Sequence, residues 1–362
     1  MDFGLSQDQL LLKETIRRWV EAESPTTRVR AVMESETGHD PALWRALGDL
    51  GVTGLMVPPA FGGAGLDLLD AALAAEEMGF GATPGPSLGS TMAVVALLAS
   101  TDHEEHRRWL PGIASGEVVA TLALGEPHDV WDAERLGTRA RGPALVGEKA
   151  LVPHGDVADL IVVAAQDDAG PGFWLVERAA KGLHTERLRP MDMTRPVATL
   201  RFDGTPAVKI AAGRDAIDRA RDAGLVLLAA DAYGGTRRCL DMTAKYALTR
   251  EQFGQPIGAF QGVKHQLADL VTEVEPALSL WWYAAHAWDQ IPEAAARHAA
   301  LAKAHLCDLY DRATRICTEL HGGIGFTWEY DLHLWFRRAI FDRAYLGGSE
   351  HHRARAAALA GW

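Results

Sequence analysis

The run whose residue types are most informative about chemistry is "TREQFGQPIGAFQ", residues 249–261. Arg250 stands where a long helical pattern closes. Gln252, Phe253 and Gly254 follow, and Phe260 and Gln261 open the next helical pattern. An arginine so placed can fork onto a diphosphate through two parallel hydrogen bonds. A phenylalanine can cover an aromatic ring, and a glutamine supplies amide hydrogen bonds. The same residues also read as an ordinary helix end, with Arg250 matched to the dipole and Gly254 and Pro256 stopping the chain. A second run, "ELHGGIGFTWEYDLHLWFRRA" at 319–339, sets Gly322 and Gly323 just past a helix. Backbone without a Cβ can approach a ligand closely there.

The bulk properties narrow the ligand. A net charge of −12 over 362 residues opposes general nucleic-acid binding, which needs a basic surface, and opposes an anionic membrane. An anionic coenzyme therefore requires local basic groups set against the global charge. Cys239, Cys307 and Cys317 form neither a disulfide framework nor a CxxC metal pair, and read as small buried hydrophobes in a reducing, cytoplasmic compartment. The N-terminus lacks a basic-then-apolar signal layout, and no apolar run approaches the roughly 20 residues of a membrane span.

Three blocks must position these residues. Residues 1–116 are helical by pattern: "SQDQ" has capping-box spacing from Ser6 to Gln9, and "DPALWRALGDLG" runs from Asp40 to a stop at Gly51. A further helix, "LDLLDAALAAEEMG", stops at Gly79, and "VPPAFGGAG" between them is turn chemistry. Residues 117–210 switch to short β-branched or alternating runs ("VVATLALG", "ALVGEKALVP", "DLIVVAAQ", "GFWLVER", "VATLRFDG") split by Gly, Pro and Asp. They predict an antiparallel β-domain, barrel- or sandwich-like. Residues 211–362 return to long helical patterns and predict a four-helix bundle. The fold class is thus α+β: helical domain, β-domain, bundle. A di-iron bundle is excluded, because the C-terminal block has no Glu-x-x-His.

Taken together with "MDFGLSQDQ" and "GVTGLMVPPAFGGAGLD", the two C-terminal runs resemble the acyl-CoA dehydrogenase family, over the whole chain and in the right order. The resemblance implies an FAD enzyme that oxidises acyl-CoA thioesters to 2,3-enoyl-CoA, usually as a tetramer. It implies that Arg250, Gln252, Phe253, Phe260 and Gln261, with Glu319, Gly322 and Gly323, reach across a dimer interface to the diphosphate and adenosine of an FAD. The ring of that FAD lies mainly in the neighbouring subunit. Glu319 departs from the Gln the family favours there.

The family's reaction half is where this chain departs most. A carboxylate must take the α-proton of the thioester while hydride leaves the β-carbon. The family places it after the Tyr of a Tyr-Glu-Gly element, which here reads Tyr345-Leu346-Gly347, or in the first bundle helix, where the count falls on Gly224. Asp222 is two residues away from Gly224, about 200° round the helix, and Asp231 is the other nearby acid. Glu350 lies four residues beyond Leu346. The family's Thr-Glu-Pro is here Gly125-Glu126-Pro127, and its later strand motif with Trp and Thr against the ring has Leu151 and Pro153 instead. These departures resemble the base-lacking subunit of actinobacterial α2β2 acyl-CoA dehydrogenases, several of which act on steroid side-chain CoA thioesters. That likeness implies FAD shared at an interface, a homologous partner bearing the catalytic Glu, and acyl-CoA in the partner's site. A self-sufficient homo-oligomer with a relocated base and a flavin-free scaffold remain open alternatives.

Overall fold

The computed structural model describes residues 4–210 and 213–362. Residues 1–3, which open the N-terminal motif, and residues 211–212, at the expected junction of β-domain and bundle, lie outside the described residues. The chain divides into two compact units: Met1–Val29, Ala72–Thr83 and Val226–Trp362 form one, and Arg30–Ala71 with Pro84–Leu225 form the other. Along the chain the order is helices, then sheet, then helices, as the pattern predicts; among the first helices are α2 (Thr26–Glu34) and α4 (Leu68–Gly81), the latter running two residues past the expected stop at Gly79.

The second unit holds helices α3 (Pro41–Asp49), α5 (Ser87–Leu98) and α6 (His103–Ala114), together with the sheet. Asp40 caps α3 by accepting from the backbone N–H groups of Ala42 and Leu43, so the helix starts where the sequence places it. The sheet strands are β1 (Ala120–Ala123), β2 (Arg139–Arg141), β3 (Ala144–Pro153), β4 (Leu160–Asp167), β5 (Gly170–Glu177), β6 (Leu183–Arg187), β7 (Val197–Pro206) and β8 (Val208–Ile210). Their path is β6-β7-β3-β2-β4-β5-β8, with β1 paired to β4. Pairing is antiparallel except that β1 and β2 each run parallel to β4, so the sheet is mixed. The path has two ends and does not close into a barrel by hydrogen bonding among the described residues. Leu160–Ala165 of β4 is buried on both faces, which explains its unbroken apolar run. The short, charged β2 and β6 carry no alternating pattern and escape sequence reading; only pairing to β3 and β7 makes them strands.

The first unit begins with α1 (Gln7–Glu23), whose capping box forms as the spacing predicts: Ser6 Oγ accepts from Gln9 N at 3.2 Å and Gln9 Oε1 accepts from Ser6 N at 3.0 Å. Its bundle comprises the later part of α7 (Arg214–Thr249), then α8 (Gln261–Gln290), α9 (Pro292–His321), α10 (Leu332–Ala344) and α11 (Ser349–Leu359). The inner face of α9 is mostly small (Ala295, Ala299, Ala302, Ala313), which lets its neighbours approach closely. At Gly235 of α7 a Cβ would meet the Tyr310 hydroxyl oxygen at 2.2 Å, so the two helices touch through that glycine. A buried fork ties α10 back to α7. Arg338 Nε and Nη2 donate to the two carboxylate oxygens of Asp231 at 2.9 and 2.6 Å, and Nη1 donates to Thr83 O at 3.1 Å.

Candidate functional site

The Arg250 segment is a tight hairpin that projects from the end of α7. Arg250 N–H donates to Tyr246 O at 2.8 Å, closing the helix, and Arg250 O accepts from Ile257 N–H at 2.8 Å, closing the loop. Strands β9 (Glu251–Gln252) and β10 (Gln255–Pro256) pair antiparallel, and the two turn residues, Phe253 (φ 55°) and Gly254 (φ 80°), are both left-handed. Two-residue hairpins favour this geometry because its twist matches the strands, and Gly254 adopts it freely. Phe253 holds it at a strain of roughly 1 kcal/mol or more, and is 94% exposed, braced only edge-on by Phe260 at 6.1 Å between ring centroids. A bulky apolar residue so strained and so exposed gains little from packing within this chain. Arg250, Gln252 and Gln261 are exposed as well, and Phe260 is half-buried. Among the described residues no carboxylate lies within ion-pairing distance of Arg250, so its charge is available to an anion.

The second run arrives at the same end of the bundle. The Tyr246 ring stacks on His321 at 4.4 Å, and its hydroxyl donates to His321 O at 3.3 Å. His321 Nδ1–H donates to Cys317 O at 2.7 Å, which leaves Nε2 to accept the Tyr330 hydroxyl at 2.9 Å. Burial lowers the His321 pKa and keeps the ring neutral, as this tautomer requires. Immediately after it Gly322 turns with φ 64°, and open space lies over both Gly322 and Gly323. Glu319 is exposed one turn back on α9. The chain therefore brings Arg250, Phe253 and the Gly322–Gly323 turn to one exposed bundle end, flanked by Phe326 (74% exposed), Ile324 and Trp328. Tyr246, His321 and Tyr330 join the two runs and were not singled out by sequence reading. Their only written trace is adjacency: Tyr246 stands one helical turn before Arg250, and His321 directly before the glycines.

No base stands at the expected positions. Leu346 follows α10 in a left-handed conformation (φ 62°), is 0% exposed, and its carbonyl accepts from His352 Nε2 at 2.9 Å. The buried Lys303 secures the same loop by donating to Arg343 O at 3.1 Å and Gly347 O at 3.3 Å, capping the carbonyl end of α10. Gly224 is buried within α7. Of the nearby acids, Asp231 is held by Arg338, Asp222 is buried with Arg221 Nε at 3.4 Å, and Glu350 is exposed in the first turn of α11 while Leu346 is enclosed. None combines a free carboxylate with an enclosed site.

An FAD can be tested against two parts of the chain. The exposed bundle end fits a diphosphate and an adenosine: a free guanidinium, an exposed aromatic ring and a glycine turn with open space above it. The end of β1 does not fit a ring-binding hydroxyl. A Cβ at Gly125 would meet Ala150 O at 2.6 Å and Trp131 Cζ3 at 2.7 Å, so no side chain enters there without displacement. Below it Lys149 Nζ donates to Glu126 Oε1 at 2.5 Å with both groups buried, and burial pushes the Lys149 pKa down to about 8 although Glu126 opposes the shift. No helix among the described residues is long and apolar enough to cross a membrane.

The family model described as acyl-CoA dehydrogenase, N-terminal domain, matches residues 6–117, and that described as acyl-CoA dehydrogenase, C-terminal domain, matches residues 206–360. The chain is 34% identical over 345 residues to the acyl-CoA dehydrogenase IpdE2 of Mycolicibacterium smegmatis, covering 95% of this chain and 96% of that one. Among solved structures, a variant of the Tcur3481–Tcur3483 steroid ACAD superposes with a TM-score of 0.89 at 32% identity and 98% coverage of each chain. The ChsE4–ChsE5 complex from Mycobacterium tuberculosis superposes with a TM-score of 0.91 at 26% identity, covering 100% of this chain and 99% of that one.

Proposed function

The chain belongs to the acyl-CoA dehydrogenase family, and we propose that within it the chain is the non-catalytic subunit of a heteromeric, FAD-dependent acyl-CoA dehydrogenase. Its bundle end, with Arg250, Gln252, Phe253, Phe260, Gln261, Glu319, Gly322 and Gly323, supports the diphosphate and adenosine of an FAD whose ring is housed by a homologous partner. That partner carries the catalytic Glu and the acyl-CoA. When bound, FAD supplies the hydride acceptor for α,β-desaturation of the thioester. This chain's own part is to neutralise the diphosphate through the Arg250 fork, to cover the nucleotide with Phe253, and to let it approach the Gly322–Gly323 backbone.

The observation that carries the reading is the contrast between the two regions. Most of the residues that would serve a neighbour's cofactor are exposed, Phe253 in a strained conformation and Arg250 without an ion-pair partner among the described residues. The positions that would serve a flavin and substrate of this chain's own are apolar and enclosed at Leu346, and packed solid at Gly125. The likeness to the ChsE4–ChsE5 complex supports a two-chain assembly, and the likeness to the steroid ACAD supports a steroid-derived CoA thioester as substrate.

Co-expression with a homologous subunit tests this. The complex is expected to be yellow and to desaturate acyl-CoA, with this chain alone colourless and inactive. Arg250→Ala in the complex should strip the FAD, read as lost absorbance after gel filtration. Turnover by this chain alone, or full flavin retention in the Arg250→Ala complex, refutes the reading. A colourless wild-type complex points instead to a scaffold.

A further inference from the structure

We propose that Trp131 is a built-in occupant of the space where a flavin ring would lie in a self-sufficient member of the family, so that this chain cannot house a ring of its own. The inference rests on the subunit reading above and extends it from missing contacts to a filled site.

The segment after β1 is shaped to deliver that indole. Glu126 N–H donates to Val130 O at 2.9 Å, closing a turn in which His128 (φ 65°) and Asp129 (φ 58°) are both left-handed. Two consecutive non-glycine residues in that region are strained, and the strain persists only because the surroundings hold it. Glu126 accepts from Lys149 Nζ and from Thr138 N–H at 3.1 Å, which anchors the start of the segment. Trp131 Nε1–H donates to Asp129 Oδ1 at 2.5 Å, which fixes the plane of the indole. The ring is buried, and its six-membered edge lies against Gly125. From the other side Ala150 N–H donates to Gly125 O at 2.9 Å, at a bulge where the β3–β7 register shifts between Lys149 and Val152. Gly125 is thus clasped between a strand and an indole. The side chain lost at position 125 and the large one present at 131 are complementary halves of one filled volume.

The test uses the full chain carrying Trp131→Ala, with indole and lumiflavin as ring-only probes and the shift in melting temperature as readout. Both probes are expected to stabilise the variant, lumiflavin is expected to displace indole, and neither should stabilise wild type. If indole stabilises the variant and lumiflavin does not, Trp131 is only core packing and the proposal fails. It fails equally if the variant takes up neither probe, or if wild type takes up lumiflavin. Should Trp131→Ala not fold, native mass spectrometry of the wild-type complex decides: one flavin for each pair of unlike chains is expected, and one flavin for every chain overturns it. Where Trp131→Ala folds, a wild-type complex without any flavin overturns the subunit reading alone, since the probes report on Trp131 independently; where it does not fold, such a complex overturns both.

Discussion

Replacing Arg338 with methionine should be among the most damaging single changes available in the bundle. Asp231 and Arg338 have side chains only 3% and 2% exposed, and they meet through two hydrogen bonds of 2.9 and 2.6 Å. Each charge has given up nearly all its water and recovers much of that loss from the other. Methionine fills similar volume but leaves a buried carboxylate facing an apolar side chain, which costs about 3–5 kcal/mol. Thr83 O loses a donor in the same step. Removing both charges, as Asp231→Leu with Arg338→Met, takes away the desolvation penalty together with the attraction, and should restore stability to within about 1–2 kcal/mol of wild type. Urea denaturation of the three proteins, with similar m-values, measures the differences. A loss below about 1 kcal/mol in the single variant, or a double variant worse than the single, refutes the argument. The same proteins test Asp231 as a latent base. Freed from Arg338, a hidden base would begin to turn over acyl-CoA, and we expect no such activity.

Leu346→Glu should lower stability by about 3–5 kcal/mol, the sum of a lost apolar burial and a buried carboxyl group, and should create no dehydrogenase in the isolated chain; a stable, active Leu346→Glu protein would contradict the account of this loop. Stability should also fall with acid. Burial holds His154 and His352 down to about 3, against about 6.5 when unfolded. Both are therefore neutral in the folded chain, so their contribution is complete above about pH 6.5 and is lost as pH falls toward 3. At about pH 5 the loss is on the order of 2 kcal/mol per histidine; urea midpoints that do not move between neutral pH and pH 5 would show that these rings are not held neutral.

Much of the candidate site was legible because its signals are local. Capping at Ser6 and Asp40, the stop at Gly322, and the absence of acid at Leu346 are each written within one helical turn, whereas α7 ends at Thr249, ahead of the expected stop at Gly254. The hairpin at Phe253–Gly254 was not legible: these residues read as a helix end, and the left-handed turn emerges only in the structure. The strands β2 and β6 were not legible, since a charged tripeptide or pentapeptide becomes a strand only when a neighbour offers its edge.

By itself, the sequence offered an arginine, aromatic and glycine set as candidate nucleotide contacts, marked where several helices begin, and put leucine and glycine where the family places its base. Tertiary structure alone decided that Tyr246 and His321, 75 residues apart, join the Arg250 hairpin to the glycine turn. It alone decided that Asp231 is neutralised by Arg338, 107 residues on, and that Trp131 closes over Gly125. The physical reason is the range of the forces: backbone preference is set by adjacent residues, whereas the availability of a charge or a cavity depends on what remote side chains remove from water.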